Sequence, residues 1–264
     1  MSQIATLRDL YMRQSKHSNY QVLPSRLQQL LGGDAIDIRS RFERERLAFV
    51  AAHLDFTGKS IVDVGANTGY FSIESLDLGA RSVQAYEGNA AHAEFLHLTA
   101  AVLGETGRLS IANSYLQFPR PVLAGHYDIG LLMNVLHHVG DDFGDRSLDV
   151  RAARCLIGES LREMAQHCSQ LVFQLGYCWK GNRSLPLFRH GTKQEQIDFI
   201  ADESAGYWSI EAIGIAEVGA QHEVAYVAPC EANLRRRDDW GEFLNRPLMV
   251  LRSALRPPGQ RADR

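Results

Sequence analysis

Val62-Asp63-Val64-Gly65-Ala66-Asn67-Thr68-Gly69 is the stretch from which the rest of this chain is best read. A β-branched run from Ile61 leads into it, and residues 70–78 carry a helical pattern after it. The order is strand, glycine turn, helix. Gly65 and Gly69 let the backbone turn tightly and approach a ligand closely. The turn opens a helix, whose free N–H groups suit a polar or anionic group. Eighteen residues after Gly69, Glu87 closes the next predicted strand. A carboxylate placed there accepts both hydroxyls of a ribose. The pattern therefore predicts a nucleoside-containing cofactor lying along the strand ends.

Two other nucleotide motifs fit less well. A dinucleotide fingerprint has glycine where this chain has Asn67, and that glycine admits the pyrophosphate. A phosphate-binding loop is hinted at by Gly58-Lys59-Ser60, but His53 stands where its first glycine belongs. Those residues also precede the strand instead of following it.

Further strands are predicted over residues 81–86, 127–133 and 170–174, with a weaker one over 109–112. Helical stretches at 90–103 and 149–167 separate them, and 26–31 and 42–54 also carry helical spacing. Alternating strands and helices argue for a mostly parallel sheet with helices on both faces. Late strands are expected at 223–228 and 248–252, and a disordered tail at 256–264. The chain has 264 residues, 45% of them apolar and 22% charged, which excludes fibrous and wholly disordered classes. Its 28 basic and 31 acidic residues leave a net charge of −3, which gives no case for bulk nucleic-acid or membrane-surface binding. No apolar run reaches the roughly 18 residues of a membrane span. The first residues lack a signal-peptide pattern, and the four cysteines are scattered without a CxxC pair. A reducing, cytoplasmic location is expected.

Taken together, Asp63 to Ser72 (D-V-G-A-N-T-G-Y-F-S) resembles the first motif of class I S-adenosylmethionine-dependent methyltransferases. Glu87 sits where that family has its ribose-binding acid. Asn113-Ser114 sits where it has a polar residue at the adenine. Tyr127-Asp128 through Asn134-Val135-Leu136-His137-His138 is similar to its fourth motif. The resemblance covers roughly residues 55–175. It implies a Rossmann-like α/β fold with a seven-stranded, mostly parallel sheet whose last strand is antiparallel, the two late strands supplying the final pair. It implies S-adenosyl-L-methionine as cofactor, with Asp63, Gly65, Asn67, Gly69, Glu87, Asn113, Ser114 and Asn134 as its binding residues.

Methyl transfer to an alcohol needs donor and acceptor aligned in a dry pocket, and a base for the hydroxyl proton. His137 and His138 are the candidates, because they leave the fourth strand at the edge where such sheets bind ligands. Adjacent residues point in different directions, so one of the two is expected to face the pocket. No metal is expected: His137, His138, Asp141, Asp142 and Asp145 are close in sequence, but no known ligand spacing appears. Asp141 and Asp142 read instead as a solvated loop with Gly144.

Residues 11–21 mix aromatic and basic side chains. In related methyltransferases such a segment folds over the cofactor, which makes Lys16, Tyr20 and Arg41 candidates for the cofactor carboxylate or the acceptor. The loop after the fifth strand offers Trp179 to stack on a ring, and Lys180 and Arg183 to hold an anionic group. His190, His222 and Cys178 read as structural.

The domain reading is an N-terminal helical cap over residues 1–50 and a methyltransferase domain over 51–255, with insertions at about 177–206 and 229–245. The loop after the fifth strand and the ending from Trp240 to Arg252 are similar to methyltransferases encoded with bacterial polysaccharide genes. The leading expectation is an O-methyltransferase acting on a small or sugar-like acceptor, including a surface glycan. The alternatives are a tRNA wobble-uridine modifying enzyme, which Ile36-Asp37-Ile38-Arg39-Ser40-Arg41 resembles; a natural-product methyltransferase; and a catalytically silent binding module. The charge of −3 weighs against the RNA reading. The intact glycines, Glu87 and histidine pair weigh against the silent one.

Overall fold

The structure, a computed structural model, describes residues 3–12, 21–31 and 40–255. Eight strands form one sheet in the order β3-β2-β1-β4-β5-β8-β6-β7. The strands are β1 (Ser60–Val64), β2 (Ser82–Tyr86), β3 (Leu109–Ala112), β4 (Tyr127–Met133), β5 (Cys168–Gln174), β6 (Trp208–Val218), β7 (Val224–Val227) and β8 (Leu248–Ser253). Strands β1 to β5 pair in parallel. Strand β8 runs antiparallel between β5 and β6, and β7 adds an antiparallel edge to β6. The helices are α1 (Gln3–Met12), α2 (Ser25–Leu31), α3 (Glu43–His53), α4 (Tyr70–Asp77), α5 (Ala90–Val102), α6 (Val150–Met164) and α7 (Lys193–Ser204).

The central strands are buried on both faces, so they read as continuous apolar runs. Period-two alternation still sorts their side chains. Val62, Leu132, Leu171, Phe173, Met249 and Leu251 pack under α6 and α7. Their neighbours Ile61, Leu131, Val172, Leu248 and Val250 pack under α3, α4 and α5. Each such fully buried aliphatic side chain stabilises the fold by roughly 1.5–3 kcal/mol.

The α/β class, the strand alternation and the helices on both faces agree with the sequence expectation. Two details differ. The sheet has eight strands where seven were expected. The final antiparallel pair is β6 with β8, while 224–227 is the extra edge strand. Strand β6 escapes sequence reading for a physical reason. It carries a register irregularity between Ile210 and Ala212, which breaks its alternation. Its Gly214 has no side chain because the Phe49 ring of α3 lies there: an added Cβ would come 2.9 Å from Phe49 Cζ.

The boundary expected at residue 50 also falls inside α3. Phe49, Val50 and Leu54 belong to the core beneath the sheet. Leu7, Leu10 and Tyr11 of α1, Leu27 and Leu31 of α2, and Leu23 just before α2 gather with Phe95 of α5 in a small separate cluster. The expected disordered tail, Lys16, Tyr20 and most of the 36–41 stretch lie outside the described residues. No helix among the described residues is long and apolar enough to cross a membrane.

Candidate active site

The carboxyl ends of β1, β2 and β4 open into a cleft of about 490 Å³, within the usual range for a small-molecule pocket. The glycine turn forms its floor. Gly65, Asn67 and Gly69 all have positive φ, at 72°, 54° and 81°. Glycine adopts this conformation freely, and asparagine is among the few side chains that tolerate it. Asn67 Oδ1 accepts the Thr68 N–H at 2.7 Å, which steadies that strained residue. Gly69 is required twice over, since an added Cβ would lie 2.1 Å from Leu96 Cδ2.

Glu87 faces this turn from the end of β2 and is 7% exposed. Its Oε2 accepts the Asn67 N–H and its Oε1 accepts the Asn89 N–H, both at 2.7 Å. His92 Nδ1 is 3.8 Å from the same carboxylate. These bonds fix the carboxylate in place, and a carboxylate oxygen can accept more than one hydrogen bond, which is the chemistry a ribose needs. Ser114, Tyr115, Leu116 and Phe143 line the wall beyond it. These residues suit a nucleoside: paired acceptors for a ribose, and an apolar, partly aromatic slot for a base.

Two expected cofactor residues act indirectly. Asp63 borders the cleft, but its Oδ2 accepts the Ser72 hydroxyl at 2.6 Å and so ties β1 to α4. Burial pushes its pKa up to about 7; the Ser72 hydrogen bond works against that shift and the nearby Glu87 charge adds to it. Asn113 donates to the Glu87 carbonyl at 2.9 Å and holds the acid's backbone, leaving the wall to Ser114. The α4 N-terminus is not open to a ligand either. The Gln21 side-chain oxygen accepts the Tyr70 N–H and the Thr68 hydroxyl, both at 3.0 Å. The N-terminal segment thus does reach the turn, through Gln21, whose carbonyl accepts the Tyr11 hydroxyl.

Asn134, the first residue after β4, also has a positive φ of 62°. Its amide is locked by Gln174 Oε1 and Arg246 Nη1, each at 2.8 Å. The two histidines follow, and their environments separate them. His137 is buried, and its Nδ1 accepts the Gly176 N–H at 3.2 Å. That bond places the ring proton on Nε2, so His137 can donate from Nε2 but cannot accept a proton there. His138 Nδ1 is 3.5 Å from Asp142 Oδ2, longer than a formed hydrogen bond but close enough to favour the N–H on Nδ1. Its Nε2 lone pair is then the basic one. Asp142 is thus a half-buried partner of His138 within the cleft wall, where a solvated loop was expected. One ligand atom each of His138, Asp141 and Asp142 lie within 4.8 Å of one another.

The loop after β5 divides its expected residues. Lys180 and Gly181 line the cleft. Trp179 is buried in the core, with its indole N–H donating to the Val139 carbonyl at 2.5 Å. It cannot stack on an acceptor; it carries the Lys180 ammonium over its ring at 4.1 Å instead. Arg183 is exposed and does not border the cleft.

Sequence reading missed the far end of the cleft. Arg41 was expected in the cleft, but Arg46, Phe243 and Arg246, which also line it, were not. The Arg46 side chain is 5% exposed and the Arg246 side chain 11%. Arg46 had one signal: it shares a helical face with the buried Phe49 and Val50, where a charge needs a reason. Arg246 and Phe243 had none, because a loop far from the motifs folds back to deliver them.

No family model matches this chain, and no curated protein matches it in sequence. Solved structures do resemble it. Magnesium protoporphyrin IX methyltransferase from Synechocystis, solved with bound S-adenosylmethionine, is 13% identical with a TM-score of 0.51, over 96% of this chain and 97% of that one. A proposed S-adenosylmethionine-dependent methyltransferase from Listeria monocytogenes is 10% identical with a TM-score of 0.50, over 80% of this chain and 99% of that one. At such identities the likeness speaks for architecture, and in architecture this chain has the Rossmann-like α/β fold of class I S-adenosylmethionine-dependent methyltransferases.

Proposed function

We propose that this chain is an S-adenosylmethionine-dependent O-methyltransferase that acts on a hydroxyl of a small or sugar-like acceptor, a bacterial glycan included. The observation that carries the reading is the pairing of two corners in one cleft. Glu87 presents a fixed double acceptor for a ribose, and His138 presents a basic nitrogen backed by Asp142. The cofactor, when bound, supplies an electrophilic methyl group. Glu87 would hold its ribose, and Ser114, Tyr115 and Leu116 would enclose its base. His138 Nε2 takes the proton from the acceptor hydroxyl, and Asp142 balances the charge that appears on the imidazole. His137 donates from Nε2 and keeps the loop after β5 in register through Gly176. Lys180, at the mouth, orients the acceptor.

The test is transfer of a labelled methyl group from S-adenosylmethionine to a panel of methyl glycosides. Transfer that depends on His138 supports the reading. Cofactor binding without transfer to any hydroxyl acceptor favours a silent module. A second reading has its own observation, the grouping of His138, Asp141 and Asp142. A divalent cation held there would lower the acceptor hydroxyl's pKa in place of a base. Activity lost on exhaustive chelation and restored by Mg²⁺ or Mn²⁺ selects it; activity that survives chelation removes it.

A further inference from the structure

The loop after β5 borders two hollows, and the proposed reaction uses one of them. Its Lys180 and Gly181 line the cleft. Its Phe188 and Arg189 line a second groove of about 620 Å³, together with Arg151 and Arg154 of α6 and Phe199 of α7. Helix α6 follows β4, so its first turns start from the same carboxyl edge of the sheet as the cleft. Between the two hollows the loop folds back on itself. The Trp179 N–H donates to the Leu185 carbonyl at 2.9 Å, and the Leu187 N–H to the Tyr177 carbonyl at 2.8 Å.

The groove is one-sided in charge. No acidic residue stands between Asp149 and Glu159, or between Glu163 and Glu195. Arg151 and Arg189 are exposed, and neither side chain makes a hydrogen bond or ion pair with a described residue. Arg154 lies on an aromatic floor, its guanidinium carbon 5.3 Å from the Phe188 ring centre and 4.8 Å from that of Phe199. Its Nη1 donates to the Leu187 carbonyl at 2.8 Å, a bond that fixes the fork without neutralising it. Glu203, the acid that lines the groove, pairs with Arg162 outside it. The three guanidiniums are left in excess.

At the other end of the loop Lys180 holds a left-handed backbone, φ 58° and ψ 19°. That conformation costs a residue with a side chain about 1–3 kcal/mol. It sets the ammonium on the cleft wall 4.1 Å from the Trp179 ring centre, with no hydrogen bond or ion pair to a described residue. Exposed Arg183 stands in the loop between Lys180 and the groove.

Guanidinium forks bind carboxylate, sulfate and phosphate groups. Anionic groups repeated along one chain suit cations spread over two hollows. Single-stranded nucleic acid is held by exposed aromatic faces as well as by cations. Here Phe188 and Phe199 are 4% and 7% exposed and lie against Arg154. A duplex needs a broad basic field, and the net charge of this chain is −3. An acidic glycan needs the cations and no stacking platform.

We propose that the groove between α6 and the loop after β5 binds an acidic glycan chain, and that Lys180 continues the same track into the cleft. That the unit in the cleft is the methyl acceptor rests on the methyltransferase reading; the groove itself rests on the arginines.

Calorimetry on the whole chain tests this with polygalacturonate, dextran sulfate, neutral pullulan and oligothymidylate as probes, and with S-adenosylhomocysteine alongside. Wild type should bind an acidic polysaccharide and not pullulan. Arg151→Gln/Arg189→Gln, which alters two exposed side chains, should lose about tenfold or more of that affinity and hold S-adenosylhomocysteine as wild type does. Lys180→Gln should lose about threefold or more. Binding of neither acidic polymer, or binding that the double variant keeps, overturns the groove. So does an equal loss in Arg81→Gln/Arg120→Gln, which removes the same charge at exposed positions outside both hollows. Tighter binding of oligothymidylate through the same arginines overturns the glycan assignment. Unchanged affinity in Lys180→Gln overturns the single track. Arginine-dependent glycan binding by a chain that binds no S-adenosylhomocysteine keeps the groove and removes the methyltransferase reading; the opposite pair of results keeps that reading and removes the groove.

Discussion

At the Glu87 end of the cleft the shape is set by backbone. Three residues of one turn hold positive φ, and two backbone N–H groups fix the carboxylate. At the Arg46–Arg246 end the shape is set by side chains brought from α3, β5 and the loop before β8, up to 200 positions apart. The first end is pre-organised whether or not anything is bound, since the turn cannot relax without breaking the strand-to-helix connection. The second is a network of buried charges, which is stable only while each member keeps its partner. Substitutions at the first should therefore act on one ligand contact at a time, while those at the second should propagate. His138 lines the same cleft, and in the proposed role of base its loss should act on turnover rather than on binding.

That separation can be broken most decisively at His138. His138→Ala should lower turnover by about 10²- to 10⁴-fold, the usual worth of a general base. Affinity for S-adenosylhomocysteine should stay within about twofold of wild type, as calorimetry would read. A parallel loss of affinity would mean that His138 belongs to the cofactor end.

The next effect concerns stability. The folded pKa of Asp63 is raised to about 7 from 3.8. Between those values the unfolded chain has released the proton and the folded one still holds it, so stability falls as pH rises through this window. Below it the contribution is fully present, and above it the loss levels off. The whole change is up to about 4 kcal/mol. Asp63→Asn should flatten the decline in urea melts run between pH 4.5 and 7.5. An unaltered slope would show that Asp63 is ionised throughout.

Glu87→Ala removes the double acceptor and two backbone partners. It should weaken S-adenosylhomocysteine binding by about 10- to 100-fold, the worth of charge-assisted hydrogen bonds. Equal affinity in variant and wild type would deny Glu87 the ribose. The smallest effect is expected from Asp142→Asn, which keeps the shape and removes the charge behind His138. Turnover should fall about tenfold with the base's apparent pKa lowered, a shift that a purely structural substitution would not produce.

How far each end could be read from the sequence follows from the same physics. A turn that needs positive φ restricts residue types over a few consecutive positions, so Gly65, Asn67 and Gly69 stand out in the sequence, and Glu87 follows at strand-to-strand spacing. Asn113 was legible as a position but not as a role, because its amide turns to the backbone of Glu87. Trp179 looked exposed for lack of any sign that its indole N–H finds Val139. Arg246 and Phe243 reach the cleft through long-range packing, which leaves no local periodicity to detect. Strand β6 was missed because its irregular register and small residues serve the close approach of α3.

In the proposed reading the glycine turn and Glu87 hold an adenosylated methyl donor. Titration of the whole chain with S-adenosylhomocysteine, and separately with NAD, tests it directly. One S-adenosylhomocysteine per chain and no heat from NAD is the expected result. No binding of S-adenosylhomocysteine, or a preference for NAD, would contradict it.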